Sequence, residues 1–444
     1  MVEARPFSDK FWDERETWSR DRLESEQLAA LKRQLAYVGA NSVYYKRAFK
    51  EVGFDPASLK SFADLSRLPL TKKADYVASV QRQPPWGEFV AAPREQVRRV
   101  HFSSGTTAKP APQFWTEADL TRWADNYARG AWSQGVRPGQ VFQCLFTYTW
   151  FVGGLGATAG YQRAGAICIP AGSGETERQV HSIYEFGTEI ICGTPSFMLH
   201  LAETAAKLGY DSAASPVKRI MVGGEPGASI PATRKRIEEL WGAKCYDAYG
   251  SLEFQTIGWD CEAQTGPHLL EDFAYAEIVD PETGKAVADG QRGVLVLTHL
   301  DKQAGPLVRW WTGDIVSRRR ETCACGRTHA RLINGVLGRG DDMLVIRGVN
   351  LFPSAVEELI RSTSGTTDEY RIIVGGKLTD AGGFPTGIRL QVEALSDAPA
   401  DLGQRLSVLI KERLQVRAEV ELLAPDTLAR SSHKSKRVIQ EPAG

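Results

Sequence analysis

No run of apolar residues in this chain comes near the ~18 that a membrane-crossing helix needs. Nothing in it is therefore expected to span a bilayer. Excess charge of either sign is missing too: 54 lysines and arginines balance 54 aspartates and glutamates. The global field gives no reason to expect DNA, RNA or an acidic membrane as a partner. Cysteine is sparse and odd in number, seven in 444 residues. That pattern fits reduced thiols in a cytoplasmic protein better than a disulfide framework. The opening MVEARPFSDKFWDERETW is charged throughout and has no apolar h-region, so it does not read as a signal peptide. A Walker A loop, G-x-x-x-x-G-K-S/T, is also lacking.

What is present is ordinary in bulk and specific in places. Apolar content of 42% and charged content of 24% are those of a soluble globular protein. The length suffices for two or three domains. The segment HFSSGTTAKP, from His101, packs Ser103, Ser104, Gly105, Thr106, Thr107 and Lys109 into seven positions. It follows VRRVHF, which reads as a strand end. Small residues bare backbone N–H groups, hydroxyls add donors and Lys109 adds charge, all suited to polyphosphate oxygens. A plain polar turn is the alternative.

The first hundred residues read as mainly helical, with a long helix over 23–45 and short ones over 61–66 and 71–79. From 110 to 250 the pattern alternates. Helices are expected at 116–134, capped by Thr116, and at 151–163, 176–186, 195–208 and 230–241. Strands are expected at 140–148, 166–170, 190–193, 217–223 and 244–248. Such alternation implies α/β architecture with a largely parallel sheet and covering helices. Ligands of these sheets bind at the carboxyl ends of the strands. Four groups sit there: Tyr148-Thr149-Trp150, Gly193-Thr194-Pro195, Gly223-Gly224-Glu225 and Tyr249-Gly250-Ser251.

SSGTTAKP, GGEPG, YDAYGSLE, WWTGD and GRGDDMLVIRGVNLFPSAVEE occur in that order. Together they resemble the adenylate-forming enzymes, and within them the phenylacetate–CoA ligase family. GGLGATAGYQRAGA, TERQVHSIYEFGTEIICGTPSF and DDMLVIRGVNLFPS carry the closer likeness. The resemblance implies that ATP and a carboxylate give an acyl-adenylate and pyrophosphate, and that the acyl group then passes to a thiol. It implies a phosphate loop at Ser103–Lys109, with Ala108 where the family usually has glycine. It implies adenine stacking by Tyr249 and a magnesium-holding carboxylate at Glu253, a plausible single ligand because Mg2+ keeps phosphate oxygens and water. Gly223, Gly224 and Glu225 would border the adenine edge, with Asp247, Gly250 and Ser251 in the same nucleotide site. Asp314 would take the ribose hydroxyls, and Arg339 a ribose or phosphate contact. Asp341 matches the hinge residue. Lys434, with Lys436 beside it and His433 in place of the usual glycine, matches the lysine that reaches the reacting carboxylate.

A large domain over 1–340 and a small mobile α+β domain over 341–444 are expected from the break at GRGDD. The small domain should hold strands at 343–347, 370–375, 388–394 and 418–423, and helices at 355–362 and 402–414. The acyl pocket candidates are Tyr148, Trp150, Phe151, Gly153, Gly154, Gly172, Thr194 and Pro195, whose aromatic and small residues leave room for a flat ring. A separate signal is Cys323-Ala-Cys325 with Cys261 and His268 upstream, a complete tetrahedral set for structural Zn2+, with His329 as a substitute ligand. Free buried thiols are the alternative. The expected activity is an aryl- or arylacetyl–CoA ligase using ATP, Mg2+ and CoA. Loading of a carrier protein's phosphopantetheine arm is the alternative, and a degenerate nucleotide-binding regulator the non-enzymatic one. A homodimer is left open.

Overall fold

The structure is a computed structural model that describes residues 6–102, 111–340, 343–347, 349–379, 385–430 and 437–443. The expected phosphate loop Ser103–Lys109, the expected hinge Asp341 and the basic residues His433, Lys434 and Lys436 lie outside the described residues.

An eleven-stranded sheet organises the larger part of the chain. One half is parallel, in the spatial order Ile167–Ile169, Val141–Cys144, Ile190–Gly193, Arg219–Gly223, Lys244–Ser251. The alternating pattern foretold this half. The other half is antiparallel and was not foretold: Gln255–Trp259, His268–Leu269, Arg331–Arg339, Trp310–Arg319, Arg292–His299, Ala274–Val279. Lys244–Ser251 is the seam, with one parallel and one antiparallel neighbour.

The strand expected over 140–148 stops at Cys144. There Gly172 N–H takes the Cys144 carbonyl and Leu145 N–H goes to Cys192, so the chain turns off the sheet. Residues 145–152 then run free of the ladder, tied by Phe102 N–H to the Trp150 carbonyl at 3.0 Å. Helix Gly153–Arg163 lies against helix Glu117–Ser133, whose Thr116–Asp119 capping box fixes its start. The contact is close enough that a Cβ at Gly160 would stand 2.0 Å from the Tyr127 Cβ, so only glycine fits.

The long N-terminal helix, Arg20–Asn41, ends earlier than expected. Ser42 adopts an extended backbone and caps a second helix, Val43–Glu51. At the other end of the chain, Ala418–Leu423, Ile388–Ala394, Thr366–Gly376 and Val438–Ala443 form a separate four-stranded sheet in that order. Helices Pro353–Arg361 and Leu402–Leu414 bury Val356, Ile360, Leu402, Leu406 and Ile410 in its core. The strand expected over 343–347 is Leu344–Ile346, while its hairpin partner Val349–Leu351 and the last strand were absent from the sequence reading.

The N-terminal segment is pinned to the large sheet through Asp272, whose side chain is 5% exposed. Arg129 meets it at 2.6 and 3.0 Å, Arg122 at 2.8 Å and Arg15 at 3.1 Å. Burial alone would raise its carboxyl, but these guanidinium groups hold it well below the usual carboxylate range. The folded state therefore binds this proton less readily than the unfolded chain does. The resulting stability is present above the unfolded pKa of about 3.9 and is lost as pH falls towards the folded value. Asp272→Asn should cost about 3–5 kcal/mol, because three cations lose their counter-charge. Urea unfolding of both proteins should show the difference at pH 7 and a narrowing of it below about pH 4.

Candidate active site

The antiparallel half of the sheet sets Asp314 opposite Arg339. Arg339 Nη1 lies 3.1 Å from Asp314 Oδ1, and the Tyr249 hydroxyl donates to Asp314 Oδ2. Tyr249 comes from the seam strand, so one carboxylate joins three strands. Burial first, and then the Asp314 charge, push the Tyr249 phenol far up. It stays a neutral donor with a half-buried ring. Asp247, on the same strand, accepts from the Ser229 hydroxyl, and burial lifts its carboxyl to about 6.

Gly223 and Gly224 end the neighbouring strand, with Gly224 at φ +91°, a conformation natural to glycine. The next residue, Glu225, turns away from the seam. Its Oε1 accepts from the Ser196 hydroxyl and, at 2.9 Å, from the Ser196 N–H, at the first turn of helix Pro195–Lys207. A carboxylate there satisfies open N–H groups and the helix dipole. Gly250 and Ser251 close the seam strand and lead to Glu253. Glu253 is 9% exposed, and Lys73 Nζ lies 3.6 Å from its Oε1. Lys73, Ser229 and Ser196 escaped the sequence reading because only folding brings them to their acids.

The acyl candidates divide. The Tyr148 hydroxyl shares a hydrogen bond of 2.5 Å with Thr158 Oγ1, and its ring stands beside Gly172. Thr194 caps helix Pro195–Lys207 and Pro195 opens it. Gly153 and Gly154 form the first turn of helix Gly153–Arg163. Phe151 is half-buried. Trp150 is 65% exposed and meets Phe102 edge-on at 5.2 Å, so its ring stands mostly in solvent.

The cysteine–histidine set comes together. Ligand atoms of Cys261, His268, Cys323 and Cys325 all lie within 4.8 Å of one another. Cys261 and Cys323 sulfurs are 3.9 Å apart, and Cys325 Sγ is 3.6 Å from His268 Nε2. A tetrahedral zinc with bonds of about 2.3 Å would need sulfurs about 3.8 Å apart. His268 Nδ1 lies 3.2 Å from the His329 carbonyl, which turns Nε2 towards the thiols. Burial opposes protonation of His268, yet Cys323 and Cys325 raise it to about 9. Cys325 is driven down, first by the Cys261 thiol. The donors, their spacing and the outer carbonyl fit a closed zinc site. His329 does not serve as a substitute ligand: its Nδ1 and Nε2 each lie 3.0 Å from a backbone carbonyl, of Leu269 and Arg15.

This geometry has counterparts among known proteins. Residues 27–299 match the AMP-binding enzyme family and residues 348–441 the AMP-binding enzyme C-terminal domain, which makes the chain an adenylate-forming enzyme. It is 38% identical to the phenylacetate-coenzyme A ligase of Thermus thermophilus, across 96% of this chain and 98% of that one. It is 36% identical to that of Pseudomonas putida, across 97% and 96%. The chain belongs to the phenylacetate–CoA ligase family and is an AMP-forming acid–thiol ligase that uses ATP and CoA. Among solved structures, a 2-hydroxyisobutyryl-CoA ligase in its postadenylation state superposes with a TM-score of 0.93 at 32% identity, covering 98% of this chain and 94% of that one. The same enzyme in its thioesterification state gives 0.75. The whole of this chain thus superposes on the first of these arrangements better than on the second.

Contacts across the two parts hold that arrangement. Ala232 N–H donates to Glu358 at 2.9 Å, and Thr233 Oγ1 to Glu357 at 3.0 Å. Arg236 meets Asp368 at 3.2 Å. Arg430 reaches Glu203 at 3.2 Å while paired at 2.9 Å with the fully buried Glu393. Glu203→Gln weakens the cross-domain arm and leaves the Arg430–Glu393 pair intact. It should slow acyl-adenylate formation about 3- to 10-fold, the scale of one partly exposed ion pair, and leave thioester formation from supplied adenylate within about twofold. Single-turnover measurement of each half-reaction checks this.

Proposed function

We propose that this chain joins an aromatic acid of the arylacetic type to CoA through an enzyme-bound acyl-AMP. The observation that carries the reading is similarity over almost the whole chain to ligases named for phenylacetate, at 35–38% identity. Tyr148 beside Gly172, with Gly153 and Gly154 at a helix start, would line the ring at the strand ends. Pyrophosphate release over a panel of aromatic and short hydroxy acids tests it. Turnover confined to non-aromatic acids overturns it. Thioester formation with CoA against a phosphopantetheinyl carrier protein identifies the acceptor.

In this reading Tyr249 stacks on adenine, and Asp314 accepts the ribose hydroxyls once the Tyr249 hydroxyl moves off it. Arg339 stays beside that carboxylate and orients it. Glu253 fits a magnesium ligand: its carboxylate pairs with Lys73 among the described residues and stands beyond the seam strand. Bound there, Mg2+ would shield the polyphosphate. Lys109 and the hydroxyls of the 103–107 segment hold the outer phosphates. Lys434 meets the carboxylate as it attacks the α-phosphorus, where two anions need a further cation. The domains divide at 340/341, and the small one turns about Asp341 to admit the thiol.

Cys261, His268, Cys323 and Cys325 hold structural zinc in this reading, joining the loop after Gln255–Trp259 to the loop after Trp310–Arg319. Four protein donors leave no open position for catalysis. Purified protein should carry about one zinc per chain by elemental analysis. Cys323→Ser should lower Tm before it lowers adenylation.

The two half-reactions also separate Lys434 from the hinge. Lys434→Ala should slow adenylation by about 10²-fold or more and spare thioester formation from supplied acyl-adenylate. Asp341→Pro should do the reverse, since it fixes φ at the pivot. Rapid-quench assays of both steps in both variants decide. Equal slowing of both steps by Lys434→Ala would sink the assignment.

A further inference from the structure

An ammonium taken out of water is costly unless a carboxylate or several acceptors replace its hydration. Lys302 is 3% exposed. Among the described residues its Nζ has one acceptor, the backbone oxygen of Glu253 at 3.3 Å, and no ion-paired carboxylate. Its other neighbour is the face of Trp115, whose ring centroid is 4.7 Å away. Burial opposes the charge, and Asp119 and Glu253 only partly offset it. A methionine would occupy this volume at lower cost, so stability does not explain the lysine.

The surrounding loop is clamped on both sides. Gln34 Nε2 donates to the Lys302 carbonyl at 2.7 Å. The Asp119 carboxylate accepts from Gln303 N–H at 2.7 Å and Ala304 N–H at 3.0 Å. Asp119 also accepts from Thr116 N–H at 2.9 Å. Thr116 ends the strand Pro112–Thr116 that carries Trp115 and pairs with Val97–Phe102. Residues 103–110, the phosphate-loop sequence, connect those two strands. One rigid loop therefore presses one cation against the strand leaving the phosphate loop and against the backbone of Glu253.

We propose that Lys302 is a positioning residue for adenylation: it fixes the Glu253 backbone against the Trp115 strand, and so sets where the Glu253 carboxylate stands. It acts without touching substrate. The proposal rests on the reading of Glu253 as the magnesium-binding carboxylate.

Lys302→Met removes the charge at nearly constant length, and Lys302→Arg keeps a charge. Mg2+-ATP binding is measured by titration calorimetry without acid, adenylation by pyrophosphate release, and thioester formation from supplied acyl-adenylate. Lys302→Met should keep or raise Tm, weaken Mg2+-ATP binding about 10-fold and slow adenylation about 10-fold or more, the scale of one lost electrostatic contact. Thioester formation should stay within about twofold, and Lys302→Arg should recover part of the adenylation loss. Wild-type binding and adenylation in Lys302→Met overturn the proposal. So does a parallel fall in Tm and in both half-reactions, which marks a merely structural lysine. If Lys302→Met does not fold, Trp115→Leu must show the same split between half-reactions, and wild-type adenylation in it overturns the proposal. Glu253→Gln is the separate control. An unchanged Mg2+ requirement there removes the magnesium reading of Glu253, while the half-reaction split still decides the role of Lys302.

Discussion

The carboxylate of Asp314, held between Tyr249 and Arg339, is the contact on which the site depends. It joins the seam strand of the parallel half to two strands of the antiparallel half. Arg339 is also the last residue of its strand, one step before the expected domain break. In the function proposed above, this carboxylate satisfies two donors in the resting protein and would accept two hydroxyls of a bound nucleotide. Tyr249 suits that exchange because its hydroxyl remains protonated and can be displaced without leaving a bare charge.

Charge is handled unevenly across the molecule. Around Asp272, three arginines meet one buried acid, and around Glu393 an arginine meets an acid fully removed from solvent. Those clusters are matched and serve as fixtures between distant segments. Beside Glu253 the matching is looser: Lys73 pairs with its carboxylate at 3.6 Å, while Lys302 has a carbonyl and a ring among the described residues. In the function proposed above, an anionic substrate would complete that loosely matched charge.

Much of the fold was legible. The strands expected at 190–193 and 217–223, the helix capped by Thr116 and the helix expected at 195–208 follow from apolar runs, helical spacing and a local cap, which act over a few residues. The antiparallel half was not legible, because strands such as Arg331–Arg339 alternate weakly and pair across long sequence separations. The strand at Val141–Cys144 was overrun in the reading, since nothing local in LFTY says that the sheet ends where Gly172 takes the Cys144 carbonyl. Cys261, His268, Cys323 and Cys325 were nameable as a set from their chemistry, but His329 was a plausible fifth until the fold placed carbonyls at both its nitrogens.

The sequence by itself determined the kinds of group available and their order along the chain: a hydroxyl-rich loop, a Tyr-Gly-Ser turn, an acid after Trp-Thr-Gly, a basic tail and a thiol pair. These are local properties, carried by side-chain chemistry and by backbone preferences over a few residues. Tertiary structure alone decided which groups meet. Asp314 faces Arg339 because of sheet register, Glu225 spends its carboxylate on a helix start, and Trp150 points to solvent. Lys302 came beneath Glu253 because a loop clamped by Gln34 and Asp119 could lie only there. Such meetings depend on long-range register and on the packing of distant segments, which no window of neighbouring residues encodes.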